Sequence, residues 1–152
     1  MKILILLFSI FSFGYTQQYV FMVDKYNKEV ELEAKIISKI ASSSIKEKIK
    51  LYIPKISQQD KEIYSKYFDL SLDCESANFI FDKKGLIETS CKKFDKLFFT
   101  NNYKRLISNK KYYGAFFWNK SRPNIVFVKQ RLMDNNINIS KEHKQFIEDI
   151  YE

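Results

Sequence analysis

The chain has 152 residues, 45% of them hydrophobic, with 14 Phe and 10 Tyr; that is ample apolar surface for one core, too little length for two, and no composition for a disordered tail. Its formal net charge is +8, yet 23 of the 26 cations are lysine and only three are arginine, the residue suited to bidentate phosphate and base contacts. The basic character therefore reads as a solvated lysine surface and argues against nucleic acid, and glycines only at 14, 85 and 114 exclude a glycine-rich phosphate cradle.

Met1-Lys2 leads into Ile3 to Phe13, an apolar run broken only by Ser9 and Ser12. A basic start, a short apolar stretch and small residues beyond it are the parts of a secretory signal. Ser12 and Gly14 suit the −3 and −1 positions of cleavage after Gly14, and Thr16 offers a second site. A membrane span needs about 20 apolar residues, and Tyr15, Gln17 and Gln18 end the run before that. Residues 1–16 are thus expected to be a cleaved signal peptide and 17–152 a single domain, periplasmic or secreted from a bacterium. No cysteine follows the apolar run, so a lipid anchor is not expected.

Tyr19 to Val23 suits a first strand or the ordered lead-in to a helix. From Val30 the pattern is helical, with Leu32, Ile36, Ile37 and Ile40 on one face and Glu31 and Lys35 paired at i, i+4. Ser42-Ser43-Ser44 weakens that helix, and Ile49 to Ile53 forms a short strand closed by Pro54. Ser57 can cap a second helix, with Asp60 at its third position and Ile63, Tyr64, Tyr67 and Phe68 facing inward. Ala77 to Phe81 is a core strand turned by Asp82-Lys83-Lys84-Gly85, and Leu97 to Phe99 is a third strand. Thr100 or Asn101 can cap a short helix carrying Tyr103, Leu106 and Ile107. Tyr112 to Trp118 and Ile125 to Val128 form a hairpin with 119–124 as its loop, and Gly114 marks a bulge or a close approach. Leu132 to Asn136 is a helical turn, and Ser140 caps a final helix with Phe146, Ile147, Ile150 and Tyr151 inward. The fold class expected is a single small α/β sandwich: a partly parallel sheet, a C-terminal antiparallel hairpin and a terminal helix.

Two cysteines, Cys74 and Cys91, in a chain bound for an oxidising space read as a structural disulfide. Closing a loop of about 18 residues is worth roughly 3 kcal/mol by chain entropy.

His143 is the only histidine. It falls in the first turn of the last helix on the side of Phe146 and Ile147, which makes it a structural or solvent-edge histidine rather than a catalytic one. A lone histidine does not build a clustered metal site, so neither metal nor cofactor is expected. Asp69, Asp73 and Glu75 flank Cys74, and Glu148, Asp149 and Glu152 crowd the C-terminus. Neither group has the signature of a catalytic carboxylate pair, and no catalytic residue is assigned.

The most distinctive segment runs from Lys110-Lys111 through Trp118 to Pro123. It sets a tryptophan, an arginine and three lysines at or beside one hairpin loop. Trp118, Lys120 and Arg122 are the candidate binding residues, because exposed Trp and Arg dominate binding energetics and loops carry function. The competing structural expectation has Trp118 on the core edge and Arg122 paired with an acid. Asn119-Lys120-Ser121 and Asn138-Ile139-Ser140 match the glycosylation acceptor pattern, which arises often by chance.

The order of elements resembles the YfiR family of bacterial periplasmic proteins. Glu33-Ala34-Lys35-Ile36-Ile37 stands for the first helix, and Cys74 to Phe81 for the cysteine and core strand. Gly114-Ala115-Phe116-Phe117, Arg122 to Phe127 and Ile137-Asn138-Ile139-Ser140 stand for the terminal module. The resemblance implies a non-catalytic periplasmic regulator that represses a membrane-bound diguanylate cyclase by protein contact. With or without it, the residues favour an exported binding or regulatory protein recognising an inner-membrane or envelope protein or a small ligand. The alternatives are an exported hydrolase with carboxylate chemistry and a basic protein associated with anionic envelope lipid.

Overall fold

The computed structural model describes residues 2–91 and 96–150, with side chains from Met22 onward, that of Ser90 excepted. One helix, α1, spans Lys2–Ser44. Tyr19 to Val23 lies inside it, not in a strand: no proline interrupts the chain before Ser44, and ion pairs at i, i+4 join Asp24 to Lys28 and Glu31 to Lys35 along its outer side. Its buried face is Val30, Ala34, Ile37, Ile40 and Ala41, with Glu33 among them. This face is rotated from the expected one: Leu32 is 42% exposed and Ile36 is half-buried. The helix ends where Ser42, Ser43 and Ser44 turn their hydroxyls back on the carbonyls of Ser38 and Ile40.

Seven strands form one sheet in the order β2-β1-β3-β4-β5-β6-β7. They are β1 (Lys50–Tyr52), β2 (Asp69–Leu70), β3 (Phe79–Asp82), β4 (Leu97–Thr100), β5 (Gly114–Asn119), β6 (Arg122–Val128) and β7 (Ile147–Glu148). β2 through β5 run parallel, β5 and β6 form the antiparallel hairpin, and β7 lies parallel to β6. Both β3 and β4 are buried on both faces, as central strands of a parallel sheet are. Their phenylalanines continue across the sheet, with Phe79 on Phe99 at 5.6 Å and Phe99 on Phe127 at 5.4 Å between ring centroids. Gly114 is the close approach: a Cβ there would sit 2.4 Å from Phe99 Cζ and 2.8 Å from the Val126 carbonyl oxygen.

The helix α2 (Gln58–Tyr64) starts as its sequence dictates, Ser57 Oγ accepting from the Asp60 amide at 3.1 Å. Ile63, Tyr64 and Phe68 are buried and Tyr67 half-buried. After α3 (Ile87–Ser90) and β4 comes α4 (Tyr103–Ser108), capped by Asn102 rather than Thr100 or Asn101. Thr100 ends β4, fully buried, and its hydroxyl donates to the Asp82 carbonyl. The helical turn near Leu132 is α5 (Lys129–Asp134). The terminal helix is a 3-10 segment, Lys141–Phe146, that hands over to β7. The backbone there pairs with Phe127 and Val128, because the outer edge of β6 offers hydrogen-bonding groups that another helical turn would leave unmet. Phe146, Ile147 and Ile150 are half-buried as expected; Tyr151 lies outside the described residues.

Cys74 and Cys91 form a disulfide with Cα atoms 5.5 Å apart. It ties the loop before β3 to the exit of α3, and both residues are buried. Among the described residues no helix is long and apolar enough to cross a membrane. The molecule is the small α/β sandwich expected from the sequence, its sheet mostly parallel.

Candidate binding site

The hairpin is tighter than its sequence suggests. Asn119 pairs with Arg122, Trp118 with Pro123 and Phe117 with Asn124, so the expected six-residue loop shrinks to Lys120-Ser121. Both residues are left-handed, at φ 49° and 61°, the geometry of a type I′ turn. Asn-Gly normally fills such a turn; Lys and Ser hold it at a cost of about 1–2 kcal/mol per residue. Pro123 is tolerated because its pair with Trp118 alternates with hydrogen-bonded pairs such as Tyr113–Val128, and β7 stops short of it.

Side chains alternate along β5, so Phe116 and Trp118 share one face and Phe117 lies on the other. Trp118 meets Phe116 edge-on, 5.7 Å between centroids at 85°, and is half-buried against the core. Phe117 packs on Tyr103 of α4 at 5.6 Å. The competing expectation is thus met for Trp118, which does lie on the core edge, but among the described residues Arg122 is not paired with an acid. Arg122 and Lys120 are exposed, and among the described residues neither side chain makes an ion pair or hydrogen bond. All three candidates fall at the hairpin tip, but Trp118 is paired with Pro123 and Arg122 with Asn119, so Trp118 and Arg122 project from opposite faces. The tip is also separated from Lys110 and Lys111. Those precede β5 at its far end, about 20 Å away at 3.3 Å per residue, and Lys111 pairs with Glu88 at 2.7 Å.

Several of the other polar candidates have partners within the chain. His143 is buried, its ring against Phe127 and Phe146 and its Nδ1 2.9 Å from Ser140 Oγ. Burial depresses its pKa; Glu142 works against that and Lys39 with it. Asp73 accepts from the amide and hydroxyl of Ser76, Asp69 pairs with Lys48, and Asp149 pairs with Lys129. Among the described residues no group of three His, Cys, Asp or Glu side chains could hold a metal ion.

Two polar clusters escaped the sequence. Asp82 is fully buried. Its Oδ1 accepts from the amides of Lys84, Gly85 and Leu86, and its Oδ2 accepts from the Ile87 amide and the Tyr112 hydroxyl. The second cluster sits beside the point where strand order reverses, between β1 and β3. In open α/β sheets that point is the usual ligand crevice. Here Lys83 spans it, 2.7 Å from Glu33 Oε1 and 3.0 Å from Asp60 Oδ2, while Lys84 donates to the Lys55 carbonyl at 2.7 Å. Tyr64 donates to Glu33 at 2.6 Å and Tyr26 to Asp60 at 2.7 Å. Burial opposes ionisation of Asp60, but the Tyr26 hydrogen bond and the Lys83 charge overcome it and lower its pKa. Burial likewise opposes the Lys83 charge, and the two carboxylates outweigh it and raise its pKa. The cluster pins α1 and α2 to the end of β3 and fills the crevice with the chain's own charges. The only local sequence signal was Asp82-Lys83-Lys84-Gly85, which reads as a turn.

No protein-family model, no curated protein and no solved structure matches the chain.

Proposed function

We propose that the chain is an exported, non-catalytic binding or regulatory protein that recognises its partner with the tip of the β5–β6 hairpin. The observation that carries this reading is the contrast between interior and tip. Buried charges at Glu33, Asp60 and Asp82, and the half-buried Lys83, are met by partners within the chain, whereas Lys120 and Arg122 stand exposed at the turn that a half-buried Trp118 leads into. An arginine and a tryptophan free to be covered are the residues that anchor protein interfaces. A strained two-residue tip is consistent with a functional constraint on its shape. The Cys74–Cys91 disulfide supports export, because such bonds persist in oxidising compartments. In the form that the resemblance to the YfiR family implies, the partner is a membrane-bound diguanylate cyclase held inactive by contact.

A photo-crosslinking amino acid in place of Lys120, introduced in the producing bacterium, tests the reading. A discrete adduct with an envelope protein is expected from that position and none from a matched probe at Lys66 on the α2 side. Equal labelling from both positions, or none from either, would overturn it.

A further inference from the structure

The C-terminal part of the chain encloses a cavity of about 450 Å³ between α5 and the approach to β7. Both of its walls are fastened to β6. Helix α5 begins at Lys129, directly after Val128, and β7 pairs with Phe127 and Val128 at the edge of the same strand. The segment joining the walls is set by how α5 ends. The Ile137 amide returns to the Leu132 carbonyl at 2.9 Å and the Asn136 amide to that of Met133 at 3.1 Å, with Asn136 left-handed at φ 52°. That is a Schellman ending, which brings the chain back toward Leu132. On the far side the Ile147 amide closes on the Lys144 carbonyl as the 3-10 segment gives way to β7. Backbone hydrogen bonds thus shape the cavity, and its volume lies within the range of about 300–1,000 Å³ typical of small-molecule sites.

The lining selects a chemical class. Leu132, Met133, Ile137, Ile139 and Ile147 make its apolar part, every one of them aliphatic, so a nucleobase would find no aromatic ring to stack on. Met133 is 62% exposed, a flexible side chain that adapts to what it covers. The polar part is Lys129, Lys144, Asn136 and Asn138, and no carboxylate is among the described residues that line the cavity. Asp149 occupies Lys129 at 3.1 Å. Among the described residues Lys144 makes no ion pair, and its side chain, like those of Asn136 and Asn138, makes no hydrogen bond. An ammonium and two amides beside aliphatic surface match an anionic head on an alkyl chain and repel a cation. A second cavity, of about 400 Å³ near Ser44, does not offer this. Glu47 is among its lining residues, and its Asn78 and Lys96 already bond to backbone.

We propose that the cavity between α5 and β7 binds an aliphatic carboxylate, with the alkyl chain on the aliphatic side chains and the head at Lys144, Asn136 and Asn138. The site does not depend on the hairpin tip. Arg122 and Val128 stand at opposite ends of β6, about 20 Å apart at 3.3 Å per residue, so Trp118 serves as an internal control.

Nuclear magnetic resonance of the isotope-labelled chain, titrated with octanoate below its micelle-forming concentration, tests the site. Saturable shifts are expected at the Asn136 and Asn138 side-chain amides and the Leu132 and Ile139 methyls, with the Trp118 indole signal unmoved. Affinity should rise about two- to fourfold per methylene from hexanoate to decanoate, and octylammonium should not bind. Lys144→Glu and Met133→Asp, both at exposed positions, should each weaken octanoate binding about tenfold or more at unchanged melting temperature, while Lys144→Arg should retain it. Equal shifts with octylammonium, shifts scattered over the lysine-rich surface, or none that saturate overturn the proposal. Shifts produced only by phosphatidylglycerol vesicles overturn it in favour of a membrane surface.

Discussion

The Asp82 carboxylate accepts five hydrogen bonds from its own chain, and Lys83, the next residue, bridges two carboxylates from separate helices. A buried carboxylate or ammonium is tolerated only when paired and hydrogen-bonded, and removing Lys83 would strand Glu33 and Asp60 together. His143 is the opposite case, a base whose pKa burial lowers. Since the fold lowers its pKa, the unfolded chain takes up the proton first. Its contribution is complete above the unfolded value of about 6.5 and declines as pH falls below it. Urea unfolding from pH 8 to pH 5 should show stability dropping on the acid side of that value, with a shallower drop in His143→Gln. Identical slopes in both proteins would mean that His143 is not buried as described.

At the scale of elements, the disulfide, the Ser57 cap, the two central strands and the hairpin were legible from local chemistry, because each depends on residues close in sequence or on continuous apolar runs. Other elements were not. Tyr19 to Val23 is a short apolar run that suits helix and strand equally, and only its continuation into α1 decides. β2 and β7 are two residues long, too short to carry a period of two. The final helix gave way to β7 because the edge of β6 needed a partner, a demand invisible in residues 141–150. The position of the candidate residues at a hairpin tip was legible and its shape was not: Trp118, Lys120 and Arg122 fall at a two-residue turn that has no Asn-Gly to announce it, with Trp118 and Arg122 on opposite faces. Asp82 and Lys83 were missed because their partners lie up to 50 positions away along the chain. Cys74–Cys91 carries an element-scale expectation: replacing both by serine should cost about 3 kcal/mol, read as a lower urea midpoint. Loss of less than about 0.5 kcal/mol would show that the loop before β3 is held without it.

For the whole molecule, the parallel sheet gives its two ends different tasks. The N-terminal ends of β3 and β4 hold the disulfide, and the reversal point beside β1 is closed by Lys83 and Lys84. The hairpin tip lies at the opposite end from the disulfide. The most direct measurement combines stability and partner capture in Arg122→Ala, carried in the chain with the crosslinker at position 120. An exposed residue with no partner among the described residues should cost no more than about 0.5 kcal/mol, so the expected result is an unchanged melting curve with the envelope adduct lost. A lowered melting temperature with the adduct retained would contradict the account and make the tip a structural element.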